Sequence, residues 1–213
     1  MTTAKDLFII TMDPRPERSV GQGDLSLALA GAELIDLIDA GAVTVDEDRI
    51  VPVEASTPQD GLLGEAAALL TREPPHERIE DWLWRRGRDL AAAYQAALEE
   101  DGELTRKRSG RLSFGSKRVE PVDTPARRAA AERWEEREPV LAALASAVGV
   151  EGGRPENAEE AEDTENAEDQ PGLDDDAVTA VVTAVHDAVM ELEAVRQRRT
   201  IENSAFANLW RGP

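Results

Sequence analysis

The chain has 213 residues, 41% of them apolar, with 44 acidic against 24 basic residues and a formal net charge of −20. That length and apolar content allow one good hydrophobic core and do not require a second domain. With no cysteine, disulfides, thiolate catalysis and cysteine-ligated metals are excluded, and a reducing cytoplasm is permitted.

The apolar run at residues 7–10 is far too short for a signal h-region, and no segment is long enough to span a bilayer, so the chain reads as soluble and cytoplasmic. Gly21-Gln22-Gly23 has neither the long preceding strand nor the third glycine of a dinucleotide loop and reads as a helix lead-in. Asp24 is placed to cap a helix running to about Ala40, with Leu27, Leu34 and Ile38 near one face and Gly41 at its end. Gly31, inside that helix, is about 1 kcal/mol less favourable than alanine and implies a closely packed neighbouring helix. Residues 43–45 and 50–53, separated by 46–49, read as a small hairpin. An alanine-rich helix is predicted for residues 60–70.

Pro74-Pro75 is read as opening a long helical region, with Ile79, Leu83, Leu90, Tyr94 and Leu98 at helical spacing until Gly102. Trp82 and Trp84 lie on different faces of it and, as large aromatics in an aromatic-poor chain, are read as folding anchors. Residues 104–119 then carry six positive charges and no acid, a sharp reversal of sign. Leu112 and Phe114 alternate with polar neighbours beyond a Ser109-Gly110 turn signal, which predicts a solvent-facing β-hairpin. Helices follow at about 124–137 and 138–148. Residues 151–176 hold twelve acids and one base, −11 of the total charge, so 151–175 is predicted to be a disordered acidic linker. A last helix begins at the Asp174–Asp176 acidic end, with Val178, Val181, Val182, Val185, Val189 and Leu192 as its apolar stripe and Arg196, Arg198 and Arg199 toward its other end. The fold class is all-α: a mostly helical single domain with one or two small β-hairpins. Residues 1–150 form the helical core, and 176–213 the C-terminal helices that complete it.

Enzymatic constellations are poor. His76 and His186 have no nucleophile motif beside them and read as a capping or surface residue and a half-buried structural residue. Carboxylate pairs are expected without any acid/base role among 44 acids. No catalytic residue, metal site or cofactor is predicted. The basic set is the exception. Arg106, Lys107, Arg108, Arg111, Lys117 and Arg118, joined by Arg85 and Arg88 on the preceding helix, make a candidate phosphate-binding surface, because the arginine fork suits phosphate oxygens. The alternative is that these cations pair in cis with the acidic helices or the acidic tract.

The order of elements carries a resemblance. LSLALAGAELIDLIDAGAVTV at 25–45, the Pro-Pro…Trp82 helix, LEEDGELTRKRSGRLSF at 98–114 and the C-terminal AVTAVVTAVHDAV helix together resemble the Golgi phosphoprotein 3 family over most of the chain outside the acidic linker. The resemblance implies a mostly helical cytosolic protein that docks on membranes by binding phosphatidylinositol 4-phosphate, with the basic hairpin assisting and Phe114 as the apolar candidate for shallow insertion. The family pocket uses a tryptophan before the first long helix, an arginine within it and two arginines before the hairpin. Here those positions fall near Gly21, at Ala30 and at Arg88 and Ala91, so Arg88 alone matches, and residues 20–48 contain no basic residue. What carries over is an anionic-membrane role.

The partner implied is an anionic phospholipid membrane surface, with the protein peripheral at its inner face. A winged-helix-like nucleic-acid binder fits the helix-then-basic-hairpin order. A scaffold whose acidic linker and helices bind another protein fits the charge.

Overall fold

The computed structural model describes residues 2–12, 20–53, 61–107, 118–150 and 175–209. Among them are eight α-helices and two separate two-stranded antiparallel sheets, and the apolar side chains of the helices meet in one core. The mostly helical fold with two small hairpins agrees with the sequence reading. The predicted acidic linker lies outside the described residues.

The apolar run at residues 7–10 belongs to helix α1, Thr3–Thr11, which buries Leu7, Phe8, Ile9 and Ile10. Its first turn is capped twice. The Thr2 hydroxyl accepts from Lys5 N, and the Asp36 carboxylate accepts from Thr3 N at 2.8 Å and Ala4 N at 3.1 Å. Helix α2, Gln22–Asp39, supplies that carboxylate and is buried almost all round, as befits a central helix. Its N-cap is Gly21, with no side-chain cap bond. Asp24 was expected to be the cap, but it sits within the first turn, where its carboxylate takes the Arg196 guanidinium at 2.7 Å. The chain leaves α2 through Gly41 at φ +66 into the hairpin of β1, Val43–Asp46, and β2, Arg49–Pro52.

After α3, Gly61–Ala68, the expected long helix is two helices, α4, Ile79–Arg86, and α5, Leu90–Glu100. Pro74-Pro75 lies in the loop before α4, not at the helix start. The break falls at Gly87–Asp89, with Asp89 at φ +57. A Cβ at Gly87 would stand 2.5 Å from the Leu83 carbonyl oxygen and 3.2 Å from that of Ser26, so glycine is what lets this corner press against α2. Trp82, fully buried, donates its indole N–H to the Ala30 carbonyl at 3.1 Å.

Strands β3, Leu104–Lys107, and β4, Arg118–Pro121, pair antiparallel. Helices α6, Pro125–Glu135, and α7, Pro139–Ala147, each start with proline and are capped by the Thr124 hydroxyl and the Glu138 carboxylate. Helix α8, Asp176–Leu209, lays Val178, Val181, Val185 and Ala188 into the core against α2, α4 and α7. Its approach explains Gly31, where a Cβ would stand 2.3 Å from Val185 Cγ2. No helix among the described residues is long and apolar enough to cross a membrane.

Candidate functional site

The corner between α4 and α5, the first turn of α2 and the middle of α8 enclose an open cleft of about 490 Å³. Trp84, Arg88, Ser26, Leu27, Ala92 and Leu192 are among its walls. Arg88 is exposed, and Trp84 is 36% exposed. Trp82 is thus the buried anchor expected of it, whereas Trp84 turns its ring toward a cleft that water reaches. The Ala91 N–H donates to Ser26 Oγ at 3.0 Å and fixes the start of α5 against α2. Asp24, the acid nearest the open first turn of α2, is held by Arg196. A helix start without a side-chain cap, an exposed guanidinium and an aromatic wall together suit an anionic group carried on an apolar or sugar-like body.

Of the predicted cations, Arg85 does not join this cleft. Its guanidinium is held by both carboxylate oxygens of Glu77, at 2.7 and 2.6 Å, donates to the Leu69 carbonyl and lies 5.2 Å over the Trp82 ring. It therefore clamps the loop before α4. Arg88 stands at the start of α5, and the basic hairpin leaves its far end, about 16 Å away along an 11-residue helix. Hairpin and cleft are separate features joined by one rigid element.

Within the hairpin, Arg106 and Lys107 lie on β3 and Arg118 on β4, in a register that sets Lys107 directly opposite Arg118. Arg108, Arg111, Phe114 and Lys117 lie outside the described residues.

Sequence reasoning missed Arg86. It reaches into the protein, donates to both Glu33 oxygens at 2.7 and 2.8 Å and to the Leu62 carbonyl, while the Tyr94 hydroxyl donates to Glu33 at 3.1 Å. Burial pushes the Glu33 carboxyl up, against the pull of Arg86 and Tyr94. The signal was present as one acid within the apolar stretch ALAGAELI. Asp36 is pushed up to about 6 by burial, opposed by the α1 backbone donors. Asp6, completely buried, pairs with Arg133, which also reaches Glu138 at 3.0 Å, and its carboxyl is likewise raised by desolvation. The pairs of Glu33 with Arg86 and of Asp6 with Arg133 are structural, and Asp36 is a helix cap.

His76 is partly buried near the Thr71 carbonyl, and His186 is exposed rather than half-buried, on the outer face of α8. No three histidine, aspartate or glutamate residues among the described residues are arranged to hold a metal ion. Ala30 and Ala91 are fully or almost fully buried, so neither position presents a polar group to the cleft.

No curated protein matches the chain. The family model of Golgi phosphoprotein 3 (GPP34) matches residues 4–192, from the first turn of α1 through the part of α8 that packs on the core. A match of that extent establishes that the chain belongs to the Golgi phosphoprotein 3 family.

Proposed function

We propose that this protein is a peripheral anionic-lipid-binding protein that docks on phospholipid membranes through the β3–β4 hairpin, with the Arg88 cleft receiving a phosphate-bearing headgroup. The observation that carries the reading is the charge of residues 104–119: six cations without an acid in a chain of net charge −20. Such a surface is stabilised by an external polyanion, and each basic residue near an anionic membrane contributes about 1 kcal/mol. Family membership supports the lipid class. The headgroup read here is anionic in general rather than phosphatidylinositol 4-phosphate in particular, since two of the pocket positions that the family resemblance implies are buried alanines and α2 contains no basic residue. No catalytic step is assigned to the cleft.

The test is co-sedimentation with vesicles that are neutral, generally anionic, or doped with phosphatidylinositol 4-phosphate, at low and physiological salt. Binding to both anionic kinds, weakened by salt, is expected. Replacing Arg106, Lys107, Arg108 and Arg111 by glutamine should abolish it with helical content unchanged. Unaltered binding by that variant would remove the hairpin from the mechanism, and binding of duplex DNA but of no vesicle would replace the lipid with nucleic acid.

A further inference from the structure

We infer that Arg196 of α8 is a ligand-binding residue of the Arg88 cleft, supplying a second guanidinium to the phosphate-bearing headgroup, and that Asp24 is the fixed acid that tempers its pull. This role rests on the lipid reading above and deepens it: Arg196 sets how strongly the cleft holds an anion. The residue lies beyond the family match, which ends at residue 192.

The charges of the cleft call for a further donor. Among its walls the ionised groups are Arg88 and Asp89, neighbours at the α4–α5 corner, and the two cancel. The α2 side brings no cation of its own, because residues 20–48 contain no lysine or arginine. What holds an anion in such a place is a charge-assisted hydrogen bond, and α8 offers the donor. Leu192 lines the cleft, and Arg196 stands one turn further along the same helix. A Cβ at Gly23, itself a wall of the cleft, would stand 2.9 Å from Arg196 Nη2 and 2.9 Å from Leu192 Cδ2. Glycine at this position therefore leaves the guanidinium uncovered at the cleft edge, which gives the Gly21-Gln22-Gly23 lead-in a use besides starting the helix.

The guanidinium is also only half engaged. Both bonds to Asp24 leave from Nη1, at 2.7 Å each, and Glu193 approaches the same nitrogen at 3.7 Å. Nη2 makes no hydrogen bond among the described residues, and the Arg196 side chain is 38% exposed. Because arginine presents several N–H donors in one planar fork, Arg196 can keep the Asp24 carboxylate on one nitrogen and take a phosphate oxygen on the other. Arg88, exposed and without a hydrogen bond or ion pair among the described residues, is then the partner cation from a different wall.

The experiment titrates the parent chain, Arg196→Gln, Asp24→Asn and Arg88→Gln with vesicles of phosphatidylcholine mixed equally with phosphatidylglycerol, and with glycerol phosphate in solution as the lipid-free probe. Arg196→Gln and Asp24→Asn break the same clasp, so a purely structural clasp predicts the same loss of binding from both. A binding role predicts opposite signs. Arg196→Gln is expected to weaken vesicle binding about fivefold, and Asp24→Asn to strengthen it by up to about fivefold. Equal weakening in both variants would overturn this role and leave Arg196 as a strut between α8 and α2. Full-strength binding by Arg196→Gln would overturn it too: the cleft reading stands if Arg88→Gln still binds more weakly, and falls with it if Arg88→Gln also binds at full strength. An unfolding midpoint that glycerol phosphate raises in the parent but not in Arg196→Gln, without any vesicle binding, would keep Arg196 as an anion-binding residue and move its ligand off the membrane.

Discussion

Arg86 and Glu33 form a forked ion pair almost out of reach of water, with the Arg86 side chain 10% exposed and that of Glu33 at 0%. Bringing two charges into that environment is unfavourable unless each is fully bonded, and here Tyr94 and the Leu62 carbonyl complete the set. Removing one partner leaves the other charged and stranded. Arg86→Met is expected to destabilise the protein by about 3–5 kcal/mol in urea unfolding at neutral pH. Combining it with Glu33→Gln should recover a large part of that loss, because the stranded carboxylate is gone. An additive double variant would show that the pair is not coupled. Arg86 also shows where reading by residue type stops. It sits next to Arg85 in sequence, yet one guanidinium points outward to Glu77 and the other inward to Glu33, and only the position of α2 decides which.

Helix boundaries were legible wherever local chemistry sets them. The starts of α6 and α7 follow from Thr124 and Glu138 ahead of a proline, and the turn after α2 from Gly41, and each is found where those residues stand. The α4–α5 corner was not legible, because apolar spacing runs through it without interruption. What breaks the helix is the approach of Ser26 and Leu27 on α2, a long-range packing demand that only Gly87 meets. Gly31 lies between these cases. Its unfavourable place in a helix announced a neighbour, and Val185 of α8 is that neighbour. Alanine at position 31 gains about 1 kcal/mol in helix propensity but drives its Cβ into a branched, fully buried side chain, where overpacking typically costs about 1–3 kcal/mol. Gly31→Ala is expected to lower the unfolding midpoint, and adding Val185→Ala to restore at least part of it. A Gly31→Ala variant more stable than the parent would mean that α2 and α8 separate easily. Of the candidate site, the hairpin cations and Arg88 were legible as charge against an acidic background. The cleft was not, since its walls come from three segments far apart in sequence.

Across the whole molecule, buried carboxyls bind protons more readily in the folded state than in the unfolded chain. Burial raises Asp6, Glu33 and Asp36 alike. A carboxyl raised on folding contributes stability that is fully present below its unfolded value and is lost as pH rises through its folded value. For Asp36 the window runs from 3.8 to about 6 and corresponds to about 3 kcal/mol. The thermal midpoint is therefore expected to rise as pH falls from 7 to about 5, and Asp36→Asn should flatten that slope. A midpoint that falls steadily over the same interval would show that exposed ion pairs, such as Asp48 with Arg78, govern the response instead.

Helix α8 packs against α2, but residues 151–174 separate it in sequence from everything it touches. It stands to the remainder of the fold as a ligand stands to its receptor, covalently joined to it. Docking of such a ligand is governed by effective concentration. Cutting the chain between residues 151 and 174 removes that advantage. The intramolecular docking becomes bimolecular, and one protein becomes a heterodimer of its own two pieces, whose survival depends on dilution.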